Sequence, residues 1–226
     1  DRLHPQKRLR PLASGRVSAT ASYILVGILL AGASATALLV SPRVLQMLGL
    51  YFATMMVYSL WAKRTPIVDV LLLAGGYALR VLTGSFAAAF VPQQWLMAFC
   101  VFLFFSLALI KRYAELLASS RRTGGQGYVL GYWPQDAPVM LALGSAAGYL
   151  AVLVLALDTA AGLATHAAGS HAAAWVVCAL LFFWVSHLWL MAHRERIEGD
   201  PVVYAIKNRG SLIPLILIAL AGLSGL

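Results

Sequence analysis

Residues 63–84 read KRTPIVDVLLLAGGYALRVLTG: two cations, a proline, then an apolar run broken only by Asp69 and Arg80 among its charges. A basic pair ahead of such a run marks a helix that enters a membrane from its cation-rich side. Outward from this segment the same arrangement recurs. The 17 Lys and Arg fall mainly into four clusters, Arg2 to Arg16, Lys63/Arg64, Lys111 to Arg122 and Arg194 to Arg209. Between successive clusters lie paired apolar stretches, and the connections inside two of those pairs, Phe90 to Trp95 and Asp158 to Ala174, carry no Lys or Arg. The turn near Arg43 holds a single cation. Two crossings return a chain to the side it started from, so alternating loop charge predicts a polytopic helical membrane protein with its basic side in the cytoplasm.

Composition agrees. Hydrophobic residues make up 61% of the 226, and mean hydropathy is +0.82. Charged residues are 11%, against about 25% in soluble domains. A spanning helix needs about 20 mostly apolar residues, and seven stretches qualify as candidates: 17–40, 43–62, 66–90, 93–117, 137–158, 172–192 and 211–226. The expected fold is therefore an all-α transmembrane bundle forming one domain over 1–226. The formal charge of +9 is accounted for by loops beside anionic lipid, which leaves nucleic acid without a claim on it. Cys100 and Cys178 fall inside apolar runs, where small-residue packing is the expected role. Asp158, His166 and His171 belong to an Ala/Gly-rich connection and read as a solvated loop more readily than as a metal site. Residue 1 is Asp rather than Met, so the chain is expected to be part of a longer polypeptide.

Charges within spans are costly and demand a reason. Asp69 and Arg80 are 11 residues apart, three turns of one helix face, with Gly76 and Gly84 along the same stripe. That pattern suits a polar cavity; the plainer reading is an interhelical ion pair. Lys111-Arg112-Tyr113-Ala114-Glu115 ends the next segment, where Lys111 and Glu115 are spaced to pair locally. Arg112 then points elsewhere, and Tyr113 offers a hydroxyl. Gly124-Gly125-Gln126-Gly127 is expected to act as a hinge in the long basic loop. The leading segment adds Lys7, Arg8 and Arg10. Cations clustered beside carboxylates suit a polyphosphate substrate with bridging Mg²⁺, the acids holding metal and the bases neutralising phosphate oxygens.

DRLHPQKRLRPLASGRVS (1–18) resembles the segment following the first aspartate-rich motif of the UbiA superfamily of intramembrane prenyltransferases. KRTPIVDVLLLAGGYALRVLTG, KRYAELLASSRR (111–122) and DPVVYAIKNRGS (200–211) resemble its decaprenyl-phosphate phosphoribosyltransferase branch more narrowly. The resemblance implies a bundle of nine helices, of which this chain carries seven, lacking the first two. It implies transfer of 5-phosphoribose from phosphoribosyl pyrophosphate to a polyprenyl phosphate in the bacterial inner membrane, for cell-envelope sugar lipids. It also implies roles: Asp1 and Asp69 as Mg²⁺ ligands; Asp69, Arg80 and Lys63 as catalytic groups; Lys7, Arg8, Arg10, Lys111, Arg112, Tyr113 and Glu115 on the substrates. The alternatives are a prenyltransferase acting on another acceptor, and a non-enzymatic transporter or structural subunit.

Overall fold

A computed structural model describes residues 18–161, 170–197 and 199–224. Asp1, Lys7, Arg8, Arg10 and His166 therefore lie outside the described residues. The chain runs through α1 (Ala19–Val40), α2 (Pro42–Leu60), α3 (Val68–Ala87), α4 (Gln94–Arg122), α5 (Ala137–Ala160), α6 (Ser170–His193), α7 (Pro201–Lys207) and α8 (Arg209–Ser224). Short 3₁₀ turns, Ala62–Arg64 and Pro134–Asp136, precede α3 and α5. No strand is present among the described residues, and the fold is the expected all-α bundle.

The helix boundaries follow local chemistry. Ser18 caps α1 by accepting from the Ala21 amide, and Ser41 ends α1 while capping α2 through the Arg43 amide. Pro42, Pro138 and Pro201 occupy first-turn positions, where a missing N–H leaves no bond unmade. Pro66 does not start α3 as the sequence suggested; the helix begins at Val68, after Ile67.

Five helices are long and apolar enough to cross a membrane, and a sixth crossing is counted if α7 and α8 form one broken span. The count differs from seven at two places. The 43–62 stretch is helical, but Arg43, Gln46, Tyr51, Tyr58 and Ser59 dilute its apolar run, and it is not among the five. The last candidate is the second arm of a pair bent by 88° at Asn208.

α4 is the centre of the molecule. It packs on α3 and most extensively on α5; α6 lies across α5 and α8; α1 rests on α2. Leu109, Ile110 and Leu116 of α4 meet Met140 of α5 and Val185 and Leu188 of α6 in a fully buried core. Two glycines make that contact possible. A Cβ at Gly144 would overlap the Trp189 ring, and one at Gly148 would overlap Val185. Ser106 of α4 donates to the Gly144 carbonyl (2.7 Å) and accepts from the Trp189 indole N–H (3.0 Å), a polar clasp suited to helices in lipid. Of the glycines expected to serve close packing, Gly76 does so, facing Met55 and Tyr51 of α2; Gly75 and Gly84 have open space beside them. Both cysteines are buried and unpaired, as expected.

Candidate functional site

The densest polar cluster gathers where α2 ends and α3 begins, against the last third of α4. Asp69, in the first turn of α3, is fully buried. Its Oδ2 accepts from Arg112 Nε of α4 and its Oδ1 from the Tyr132 hydroxyl of the following loop, each at 2.7 Å. Arg112 engages all three of its nitrogens, donating also to Glu115 Oε2 and to the Tyr58 hydroxyl of α2, both at 2.7 Å. Only 5% of Arg112 is exposed. Tyr132 in turn accepts from the Ile67 amide at 2.7 Å. Burial pushes the Tyr132 phenol well above its ordinary range, so it stays protonated and keeps donating to the carboxylate.

This network fixes a strained piece of backbone. Ile67 has φ +68°, a conformation that a β-branched residue adopts only under constraint. The turn at Leu130-Gly131 presses on the same segment: Gly131 has φ +99°, and a Cβ there would overlap the Arg64 carbonyl and Pro66. Lys63 and Arg64 are thereby held beside the entry to α3. In the stretch expected to act as a hinge, the three glycines shape the end of α4. Gly124 and Gly125 take positive φ, the Gly125 amide bonds back to the Ser120 carbonyl (2.8 Å), and Gly127 lies flush on the backbone of Ser119 and Ser120. They end α4 and fold the chain back upon it.

A second group surrounds the other side of α4. The Tyr113 hydroxyl and His193 Nδ1 are 3.0 Å apart, and Lys111 Nζ lies 3.4 Å from Asp200 Oδ2. Arg121 pairs with Glu195. Asp200 also caps α7 through the Val202 amide (2.9 Å), and Asn208 caps α8 through the Gly210 amide (2.9 Å). The local pair expected between Lys111 and Glu115 is not formed: Glu115 turns to Arg112, three residues away, and Lys111 reaches across to the α7 cap.

Arg80 stands apart. It is exposed, donates to the Tyr51 hydroxyl and lies 5.0 Å from the ring centroids of both Tyr51 and Tyr77. Asp69, Gly76 and Arg80 do share one stripe, but the stripe meets α2, and Asp69 pairs with Arg112 rather than with Arg80. Among the expected residues, the structure thus brings together Asp69, Arg112 and Glu115, places Lys111 and Tyr113 on the adjoining face, and holds Lys63 at the base of α3. Tyr58, Tyr132, His193 and Asp200 were not singled out from sequence. Their partners lie between 54 and 89 residues away, and no local spacing signals such contacts.

Mg²⁺ does not fit the described donor set. Both Asp69 oxygens already accept hydrogen bonds, one of them from a cation, and no group of three His, Cys, Asp or Glu able to hold a metal exists among the described residues. Asp1 lies outside them.

A polytopic helical bundle with apolar exposed flanks and polar groups gathered at one end is that of an integral membrane protein. The sequence profile of the UbiA prenyltransferase family matches residues 1–208, and the chain belongs to that family. It is 34% identical to protein y4nM of Sinorhizobium fredii over 98% of its own length and 43% of that relative's. It is 28% identical to the nodulation protein NoeC of Azorhizobium caulinodans, covering 97% of this chain and 72% of NoeC. It is also 26% identical to the decaprenyl-phosphate phosphoribosyltransferase of Mycolicibacterium smegmatis, over 100% of this chain and 71% of the relative. The chain therefore spans less than half of y4nM and about seven-tenths of the other two.

Proposed function

We propose that this chain forms the membrane-embedded part of a transferase moving 5-phosphoribose from phosphoribosyl pyrophosphate to a polyprenyl phosphate, with release of pyrophosphate. The observation that carries the reading is convergence. Lys63, Lys111, Tyr113 and the Arg112–Asp69–Glu115 cluster, from two helices, α3 and α4, and the turn before α3, sit at one end of the bundle beside the segment that leads from α6 to α8. The likeness to a decaprenyl-phosphate phosphoribosyltransferase along the whole chain supports it.

In this proposal Arg112 and Asp69 position rather than react. They lock α2, α3 and α4 together at the depth where the charged substrates gather. Lys63, with Lys7, Arg8 and Arg10 of the leading segment, neutralises charge growing on the departing pyrophosphate, an electrostatic role that gains strength where water is scarce. Lys111 and Tyr113 orient the lipid phosphate, which attacks the ribose carbon. Arg80, further along α3 with two tyrosines about it, faces the route by which a prenyl chain approaches from lipid. The reaction end faces the cytoplasm of a bacterial inner membrane. A divalent-metal requirement rests on Asp1 and on the family likeness, and chelation by EDTA in the full-length protein tests it separately.

Membranes carrying the full-length protein should move label from [¹⁴C]phosphoribosyl pyrophosphate into the lipid fraction when decaprenyl phosphate is added. No lipid-borne label, together with prenylation of an aromatic acceptor from a prenyl diphosphate, would instead establish the ordinary prenyltransferase reading that the family name favours.

A further inference from the structure

At the end of the bundle remote from Arg112, the last turns of α5 and the first turns of α4 enclose a cavity of about 380 Å³. Phe90, Trp95, Leu96, Phe99 and Val154 form an apolar, aromatic wall, Gln93 adds an amide, and Asp158 is its acid. Asp158 is 8% exposed, and its Oδ1 is buried with no hydrogen-bond partner among the described residues. A carboxyl group in apolar surroundings without a donor is expensive, and more so in a membrane. A ligand that supplies the donor removes that expense.

Among the described residues lining the cavity none is Lys, Arg or His, and the connection beyond Asp158 carries His166 and His171 but no Lys or Arg. A divalent cation is a poor occupant, because it wants several oxygen ligands and the lining side chains supply only the Asp158 carboxylate and the Gln93 amide, the rest being hydrocarbon and aromatic ring. A single acid among aromatic faces is instead the chemistry that recognises an ammonium group. The location adds to this. α3 ends, α4 begins and α5 ends around the cavity, so it sits where spanning helices leave the hydrocarbon, at headgroup depth. Its size is that of a small-ligand pocket.

We propose that this cavity binds an ammonium-bearing amphiphile, the ammonium against Asp158 and the alkyl portion along Leu96, Phe99 and Val154. The ammonium belongs either to a lipid headgroup or to a free amine. The site is separate from the transfer chemistry and is read by binding alone.

The thermal unfolding midpoint of the full-length protein, purified in a neutral detergent, is measured with phosphatidylethanolamine, with phosphatidylglycerol of the same acyl chains, and with ethanolamine. Phosphatidylethanolamine is expected to raise the midpoint about 3–6 °C more than phosphatidylglycerol does, the shift that binding at saturating ligand produces in a domain of this size. D158N should abolish the excess and W95L should reduce it. An equal excess from ethanolamine assigns the site to a free amine, and an excess from the lipid alone assigns it to a headgroup. Equal shifts from the two lipids, or an undiminished excess in D158N, overturn the proposal. Should D158N fail to fold, native mass spectrometry of the wild-type protein decides, since equal retention of both lipids is equally fatal.

Discussion

Arg112 is a buried cation answered by two carboxylates and a phenol, and its energetics depend on completeness. A buried ion pair contributes little against an apolar replacement, but removing one partner leaves the other stranded at a cost of about 3–5 kcal/mol. Asp69→Asn should therefore lower the unfolding midpoint sharply, while adding Arg112→Met to it should recover much of the loss. A double-mutant cycle in detergent measures this, and additive effects would refute the coupling. Tyr132→Phe removes one donor to Asp69 and the acceptor of the Ile67 amide. A loss of about 1–2 kcal/mol is expected, with faster hydrogen exchange at Ile67. Unchanged exchange there would show that the +68° backbone is held by other contacts. Arg80→Ala should behave differently. Its guanidinium is exposed, and its bond to the Tyr51 hydroxyl and its ring contacts are each worth about 0.5–1 kcal/mol at such a site, so stability should move little while transfer by the full-length enzyme falls at least tenfold. The sequence made it plain that Asp69 needed a partner, because an acid inside an apolar run has to be answered. It did not reveal the partner, since spacing reports only neighbours a turn away and Arg112 is 43 residues distant.

Between helices, the glycines separate into those that admit a neighbour and those that do not. Gly144 and Gly148 let α5 lie against Trp189 and Val185 of α6, whereas nothing approaches Gly75 within 4 Å. Gly144→Ala should consequently destabilise by about 1–3 kcal/mol through overpacking. Gly75→Ala should be neutral or stabilise by up to about 1 kcal/mol through helix propensity. Unfolding midpoints of the two variants, prepared in parallel, check the contrast, and similar losses in both would contradict the packing described. Sequence alone favoured Gly75, Gly76 and Gly84, because small residues in an apolar run suit close helix packing in lipid, and of these only Gly76 meets a neighbour. The apolar lengths were nonetheless legible, because twenty residues of hydrocarbon leave an unmistakable run. The α7–α8 break was not. Arg194 to Arg209 reads in sequence as a basic loop, with the last span beginning at 211; the Asp200 and Asn208 caps satisfy amides locally and so let α7 form within that loop and α8 start at Arg209.

Over the whole molecule, one end collects Lys63, Arg64, Lys111, Arg121 and Lys207, while the other carries the Asp158 cavity and connections whose one Lys or Arg is Arg43. The flanks between them are apolar and exposed, Leu39 at 86% for example, as a surface against acyl chains should be. Loop charge made this polarity readable before any coordinates, because orientation is set by Lys and Arg counts and not by packing. Which side is cytoplasmic is then a direct measurement. The native thiols provide a quiet background, Cys100 being 6% and Cys178 5% exposed. Gln126→Cys places a thiol on the exposed loop between α4 and α5, and Val91→Cys places one at a position 87% exposed between α3 and α4. In spheroplasts, a membrane-impermeant maleimide should label Val91→Cys and leave Gln126→Cys unmodified until the membrane is opened. The reverse pattern would put the charged cluster outside the cell, away from any cytoplasmic pool of phosphoribosyl pyrophosphate, and the proposed reaction would fail with it. Labelling of both before lysis would instead deny that α4 crosses the bilayer, since the two positions flank that helix at opposite ends.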